Sequence, residues 1–134
     1  MKRLLSACTL AAATVLLAGC GGGDDPFLPE TVKLRVGQPK TADAGSLTLA
    51  MTKVIDSRCP STVVCVSPGS AVIDVSLSQQ GRSPATVQMT LVPGTAAQVY
   101  NYGPYRIEFT ELTPYPSSPV LTITDSEATL VVRR

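Results

Sequence analysis

The feature of this chain that most restricts its fold is an alternation of apolar and polar residues with a period of two, which starts at residue 31 and continues almost to the C-terminus. The clearest stretches are residues 32–36, 47–51, 71–78 and 105–110, separated by turn-forming residues such as glycine and proline. Successive side chains of a β-strand point to opposite faces, so this pattern predicts short strands with one buried face. We therefore expect an all-β fold, a small antiparallel β-sandwich of about seven or eight strands that is immunoglobulin-like or related.

The first 30 residues have a different composition, that of an export signal and a linker. Lys2 and Arg3 precede an apolar run, residues 4–17, which is too short to cross a hydrocarbon core of about 30 Å and has the flanks of a secretory signal peptide. Leu17-Ala18-Gly19-Cys20 resembles the lipobox of bacterial lipoproteins. That resemblance implies cleavage before Cys20, thioether lipidation of Cys20 and acylation of the new amino terminus. An ordinary signal peptide is the alternative.

These patterns divide the chain into three parts. We expect a lipoprotein signal peptide at residues 1–19, a lipidated cysteine with a flexible tether at residues 20–30, and the β-sandwich domain at residues 31–134. A tether of this length has a root-mean-square reach of only about 17 Å, so the domain would stay close to the membrane. Gly21 stands where an aspartate would retain a lipoprotein in the inner membrane of enteric bacteria. The prediction is a membrane-anchored lipoprotein of the bacterial cell envelope, facing the periplasm or the exterior, on the outer membrane where the host has one.

The charges of the chain bear on its partners. The full chain has 11 basic and 10 acidic residues and no histidine. Loss of Lys2 and Arg3 with the signal peptide changes the formal net charge from +1 to −1. A near-neutral domain with scattered charges lacks the basic surface that nucleic-acid binding needs. The expected partners are therefore the membrane, through the N-terminal lipid, and an envelope protein, but not nucleic acid.

Two cysteines, Cys59 and Cys65, lie in the segment Asp56–Ala71 between two alternating stretches, which we call the cysteine crossover. An exported protein meets an oxidising compartment, which favours a disulfide between them. Closing a loop of seven residues stabilises a fold by roughly 2 kcal/mol in the chain-entropy account. A redox-active pair is one alternative, although thioredoxin-like sites have only two intervening residues. A metal site is the other, although zinc usually takes four ligands and this chain has no histidine.

Asp56 and Arg58 admit two interpretations. They could form a recognition pair on an exposed connection between strands. Alternatively, Asp56 accepts backbone N–H groups at a turn while Arg58 pairs with it or covers a sheet edge, which is a common use of aspartate at turns. We favour the second interpretation.

The cysteine crossover also resembles a signature shared by uncharacterised bacterial lipoproteins and secreted proteins. The matching residues are Asp56-Ser57-Arg58-Cys59-Pro60, Cys65, Gly69 and Ala71-Val72. Leu112-Thr113-Pro114-Tyr115-Pro116 resembles a second motif of that group, and the resemblance spans the chain from about Val32 to the C-terminus. It departs at Ser67 and Ser70, where the group often has tryptophan and asparagine. The resemblance implies a fold and a location, and no activity.

No catalytic residue and no cofactor are expected. The absence of histidine excludes Ser/His/Asp and Cys/His nucleophiles. Glu108 and Glu111 would be the pair for glycoside hydrolysis, but residues three apart on a regular strand point to opposite faces. We therefore expect that the protein is not an enzyme.

All four tyrosines lie in the C-terminal third of the chain. Tyrosine supplies contact area at a low entropic cost, so Tyr100, Asn101, Tyr102 and Tyr105 form a candidate binding loop. The alternative is that Tyr105 belongs to the core and Tyr115 packs in a proline-rich corner, with each hydroxyl bonded to a backbone group.

The function that these features favour is that of a lipid-anchored envelope protein acting as a non-enzymatic binding or interaction module. A small sandwich that inhibits peptidases with an exposed loop is one alternative, which rests on analogy of fold alone. A purely structural envelope component is the other.

Overall fold

The computed structural model describes residues 28–118 and 125–134. The strands in these ranges are β1 (Glu30–Arg35), β2 (Lys40–Ala42), β3 (Leu47–Asp56), β4 (Ala71–Gln79), β5 (Arg82–Leu91), β6 (Gln98–Tyr102), β7 (Tyr105–Thr113) and β8 (Glu127–Arg133). The signal peptide, Cys20 and most of the predicted tether lie outside the described residues, as does a strand that the sequence suggests at residues 121–123. The described residues include no helix long and apolar enough to cross a membrane.

The strands form two four-stranded antiparallel sheets, which confirms the predicted β-sandwich. One sheet has the order β1-β8-β7-β6 and the other the order β2-β3-β4-β5. Neighbouring strands within each sheet are consecutive in sequence, except that β1 lies beside β8. The chain is therefore one up-and-down meander folded over on itself. Immunoglobulin domains differ from it, because their sheets are linked by Greek-key connections.

The core lies between the two sheets and follows the alternation in the sequence. Leu47, Leu49 and Met51 of β3 belong to the same buried cluster as Ile107 and Phe109 of β7 in the other sheet, and all five side chains are completely buried. Their polar neighbours point to solvent. Burial of these side chains is the main stabilising contribution, at roughly 1.5–3 kcal/mol for each large apolar residue.

A β-bulge in β7 corrects one expectation from the sequence. The register shifts between Phe109 and Glu111, so that Phe109 and Leu112 are both buried although they are three residues apart. Glu108 and Glu111 consequently pair with Val131 and Thr129, which lie on the same, outer face of β8. The extra residue of a bulge shifts the alternation by one position. The prediction that the two glutamates point to opposite faces is therefore wrong.

The two ends of the sandwich are built differently, and we name them by what lies there. The tether end contains Glu30, which begins β1, and a 3₁₀ turn, Asp43–Gly45. The Asp43 N–H donates to Glu30 Oε2 at 2.9 Å, and Asp43 Oδ2 accepts from the Tyr105 hydroxyl at 2.7 Å and from Arg134 Nη1 at 3.4 Å. Both ends of the folded domain thus meet at the tether end. The cysteine crossover lies at the opposite end, which we call the crossover end.

Side chains cover the seam between the edge strands β5 and β6. The Tyr102 hydroxyl donates to Ser83 O at 2.9 Å, and the Thr90 N–H donates to the side-chain oxygen of Gln98. Pro84, also on β5, has no N–H to offer a further strand. These features protect the edge of β5 against pairing with another chain.

Candidate functional site

The cysteine crossover extends the β3–β4 ladder before it leaves the sheet. The Ser57 N–H donates to Ser70 O and the Cys59 N–H donates to Pro68 O, each at 2.8 Å. Cys59 and Cys65 form the predicted disulfide, with their Cα atoms 5.9 Å apart. The segment is therefore closed at its base by backbone hydrogen bonds and near its tip by a covalent bond.

Gly69 allows the two strands of the crossover to approach each other closely. Its φ of +66° lies in the left-handed region, and a Cβ at this position would stand 1.9 Å from Ser57 O. Only glycine avoids that overlap. The glycine of the signature therefore has a steric explanation in this fold.

Arg58 is buried at the base of the crossover and forms an ion pair with Asp56. The two side chains are only 3% and 5% exposed. Arg58 Nε and Nη2 donate to Asp56 Oδ1 and Oδ2 at 2.9 and 2.6 Å, and the Arg58 N–H also donates to Oδ1 at 3.1 Å. A pair so deeply buried is not accessible to a partner. Of the two interpretations of these residues, the structural one is confirmed.

The remaining donors of Arg58 bind the crossover to the segment that follows β7. Nη1 donates to Leu112 O at 2.9 Å and Nη2 donates to Pro114 O at 3.0 Å, while the guanidinium carbon lies 4.6 Å from the centre of the Tyr115 ring. Two further hydrogen bonds join the segments, from the Ser61 N–H to Pro116 O at 2.9 Å and from Thr62 Oγ1 to Ser117 O at 2.7 Å. The two motifs of the resemblance are thus in direct contact.

Beyond this anchored base, the crossover exposes apolar side chains. Val64 and Val66 are completely exposed, at 103% and 110%, and Val63 is half exposed; we call these three residues the valine tip. Tyr115, at the base, is also half exposed. Residues 59–71 contain no charged side chain. Clusters of exposed apolar residues are uncommon on soluble monomers and often mark a binding surface.

The valine tip was not among the residues predicted to form a site, although the sequence contains a signal for it. Val63, Val64 and Val66 are the apolar residues inside or beside a seven-residue disulfide loop, and a loop so short cannot carry them back into the core. Their number in a segment without strand alternation was the available indication.

The structure corrects the placement of the predicted tyrosine loop. Tyr100, Asn101 and Tyr102 belong to β6 and Tyr105 begins β7, so only Gly103 and Pro104 form the turn. Tyr102 and Tyr105 are buried, which confirms the alternative that Tyr105 belongs to the core. The expected backbone partner of the Tyr105 hydroxyl is wrong, because the hydroxyl donates to the Asp43 carboxylate. Two strands joined by a tight hairpin produce this arrangement, because alternate residues must face the core.

Three of these four residues nevertheless line an open cleft at the tether end. Tyr100, Asn101 and Tyr102 border a cleft of about 630 Å³ together with Arg82, whose guanidinium carbon lies 5.7 Å from the centre of the Tyr102 ring. The cleft is polar and widely open to solvent. A binding role for these residues stays a prediction.

The acidic residues of the described ranges do not converge. No group of three or more cysteine, aspartate and glutamate side chains within residues 28–118 and 125–134 could hold a metal ion. Glu108 is bound at 3.1 Å by Arg106 and at 3.6 Å by Arg133, while Glu111 is exposed to solvent. The valine tip is therefore the surface feature that most needs a functional explanation.

Comparisons of the chain with models of protein families, with curated proteins and with solved structures give no match.

Proposed function

We propose that this protein is a lipid-anchored component of the bacterial envelope that acts as a non-enzymatic binding module, with the valine tip as its contact surface. The observation that carries the proposal is the pair of completely exposed valines, Val64 and Val66, on a segment without charge. Burying such a side chain at an interface would contribute about 1.5 kcal/mol or more. Leaving it in water has no structural benefit to the isolated domain.

The rigid base of the crossover supports this role. The disulfide, the buried Arg58–Asp56 pair and the backbone bonds to Pro68 and Ser70 hold the tip in one arrangement before any partner arrives. Binding by a preorganised loop loses less conformational entropy than binding by a flexible one. A small rigid apolar projection is also suited to be the buried centre of an interface.

The proposed cellular location rests on the N-terminal sequence. Lys2 and Arg3, the apolar run at residues 4–17 and the lipobox-like Leu17–Cys20 support export and lipidation of Cys20. A disulfide between Cys59 and Cys65 is of the kind that forms in oxidising compartments. We place the protein with the lipoproteins and secreted proteins that its crossover resembles.

The lack of catalytic chemistry that we propose is supported by the side chains present. There is no histidine, and the carboxylate of Glu108 is occupied by two arginines on the outer face of a sheet. Neither glutamate lines the cleft between β5 and β6. A recognition role requires none of the groups that are missing.

One observation favours a second candidate, inhibition of a peptidase. Val64 is fully exposed between two cysteines that close the loop around it. A convex, closed loop of this kind could enter an active-site cleft, with Val64 in a small apolar specificity pocket. Slowed hydrolysis by a peptidase with such a pocket, reversed by Val64→Asp, would establish this candidate. Unchanged hydrolysis across a panel of such enzymes would remove it.

The main test is photo-cross-linking in cells that produce the full chain. A photoreactive residue at position 64 should give a discrete cross-linked protein, and the same residue at Val99, an exposed apolar position on β6, should not. Val64→Ser, combined with the reactive residue at position 66, should remove the product. Equal products from positions 64 and 99, or none from either, would contradict the proposal and favour a purely structural component.

The Val64→Ser variant is expected to fold normally. Substitutions at fully exposed positions usually change stability by less than about 0.5 kcal/mol. An unchanged melting temperature would therefore separate loss of binding from loss of structure.

A further inference from the structure

We propose that the valine tip points away from the membrane that anchors the chain, and that its partner is an uncharged apolar pocket on another protein and not the lipid bilayer. The inference deepens the proposed function and rests on it, since it assumes both the lipid at Cys20 and contact through the tip. Three observations lead to it: the end of the domain at which the tether enters, the length of that tether, and the charge of the tip.

The tether and the tip lie at opposite ends of the sandwich. The tether leads into Glu30, whose carboxylate binds the Asp43 N–H at 2.9 Å, and Asp43 begins the turn that precedes β3. The crossover starts where β3 ends, at Asp56, after a strand of ten residues. At about 3.3 Å per residue, roughly 30 Å separate the two ends.

The tether is short in comparison with this distance. A flexible linker of ten residues, the number from Gly21 to Glu30, would have a root-mean-square span of about 17 Å. Even a fully extended chain of that length covers no more than about 35 Å. Turning the domain over so that its crossover end meets the anchoring bilayer would require nearly the whole extended length. The tether therefore disfavours an inverted orientation, in which the crossover end faces the anchoring bilayer and the tether end faces away from it.

The chemistry of the tip indicates what it contacts. Residues 59–71 carry no lysine or arginine, and Arg58, just before them, is buried against Asp56. Segments that bind membrane surfaces usually combine large apolar residues with basic ones, because anionic headgroups attract the cations. Three valines in a segment without a basic residue match an uncharged apolar pocket instead. Negatively or positively charged pockets gain nothing from such a tip.

Orientation is tested first, with the lipidated full chain in vesicles of phosphatidylethanolamine and phosphatidylglycerol that contain dansyl-labelled headgroups. The chain has no tryptophan, so Leu28→Trp and Val64→Trp each introduce one donor, at exposed positions near the tether and on the tip. Energy transfer from Leu28→Trp to the headgroups should be at least twofold stronger than from Val64→Trp. Equal or stronger transfer from Val64→Trp would overturn the outward orientation.

The partner chemistry is tested second, in cells, with the photoreactive residue at position 66. An uncharged apolar pocket should accept Val64→Ile within twofold of the original cross-linking yield and should reject Val64→Lys by at least tenfold. A yield that rises with Val64→Lys would indicate an anionic surface instead, and would overturn the proposal. A cross-linked product of twice the chain mass would overturn it too, because the occupant would then be a second copy.

The energy-transfer and cross-linking experiments distinguish failure of the proposed function from failure of the proposed orientation. Absence of any product from the tip contradicts the proposed function itself. A specific product together with strong energy transfer from Val64→Trp leaves the binding module intact and refutes only the orientation. Retention of the Cys59–Cys65 disulfide, measured by intact mass, is the control for correct folding of every variant.

Discussion

The two ends of the sandwich place charged and apolar side chains in opposite ways. At the tether end, Asp43 and Arg134 pair near the surface, with side chains 17% and 56% exposed, and the aromatic rings of Tyr102 and Tyr105 are buried. At the crossover end the charged pair Arg58–Asp56 is almost completely buried, and the valines are outside. At the crossover end, the polar groups that anchor the segment carrying the apolar surface are therefore the ones removed from water.

The difference in burial also changes what each ion pair, Asp43–Arg134 and Arg58–Asp56, contributes to the free energy of unfolding. An exposed ion pair is screened by water and salt and is worth about 0–1 kcal/mol. In a buried pair, the attraction between the charges must offset the cost of removing both from water, so the net contribution of the intact pair can be small. Removing one partner is strongly destabilising, because the other charge then remains buried without compensation. The two ends should therefore respond very differently to comparable substitutions.

The largest difference is expected between Arg58→Ala and Arg134→Ala. Removing Arg58 leaves Asp56 buried without its cation and deprives Leu112 O and Pro114 O of their donor. We expect a loss of about 3–5 kcal/mol in the free energy of unfolding, against about 1 kcal/mol or less for Arg134→Ala. Urea denaturation of both variants measures this, and similar losses would contradict the contrast between the two ends.

The second comparison is between glycines with left-handed backbone. Gly69→Ala combines an unfavourable φ with an overlap at Ser57 O, and should cost about 2–4 kcal/mol. Gly45→Ala, at the tether end, has a φ of +92° but no atom within 4 Å of the new Cβ, so it should cost about 1 kcal/mol. The difference in unfolding free energy isolates the close approach within the crossover. Equal losses of unfolding free energy for the two variants would show that the crossover backbone shifts to accommodate the new Cβ.

Removing the disulfide comes next in size. Cys59→Ser with Cys65→Ser should lower the unfolding free energy by roughly 2 kcal/mol, the loop entropy of a seven-residue ring. Hydrogen exchange should increase at the Val63 N–H, which donates to Pro60 O within the ring, and stay unchanged at the Asp43 N–H. Faster exchange at Asp43 would mean that the two ends do not behave independently.

The smallest expected effect is that of Tyr105→Phe at the tether end. Burial, followed by its hydrogen bond to Asp43, raises the pKa of the Tyr105 hydroxyl. Because the folded-state pKa lies above the unfolded one, the resulting stabilisation is complete below about pH 10 and is lost as the pH rises through the raised value. The variant should be about 1 kcal/mol less stable at pH 7 and should lose less stability above pH 10.

Tyr102→Phe is the control for that experiment. It removes a buried tyrosine hydroxyl whose acceptor is the neutral carbonyl of Ser83. Its cost at neutral pH should also be about 1 kcal/mol. An alkaline denaturation curve for Tyr105→Phe that coincides with that of the unsubstituted chain would contradict the assignment to Tyr105.

Much of the fold was accessible from the sequence, for identifiable reasons. Alternation fixes which residues of β3 and β4 are buried, and two cysteines in a chain with a predicted export signal predict the disulfide. The bulge at Phe109–Glu111 was not accessible, because one extra residue in a strand leaves the apolar pattern almost intact. The sequence predicts a loop at the tyrosines of β6 because Asn101, Gly103 and Pro104 are turn-forming residues, but the turn itself contains only Gly103 and Pro104.

The candidate site was accessible only in part. The sequence identified the cysteine crossover but not the burial of Arg58, since its acceptors, Leu112 O and Pro114 O, are more than 50 residues away in the chain. Contacts between backbone carbonyls and a distant side chain leave no periodic signal. The exposure of the valines, in contrast, had a signal in the sequence, which is the short disulfide loop that contains or adjoins them.

The pairing of β1 with β8 has a mechanical consequence for an anchored protein. A pull between the membrane and a partner held at the valine tip would run along the strands, from Glu30 at one end to the crossover at the other. The strand that takes this load first, β1, is joined to β8 by an antiparallel register from Glu30↔Val132 to Arg35↔Glu127. Force in this direction shears the strands past each other. All the hydrogen bonds between β1 and β8 would then resist it together instead of opening one after another.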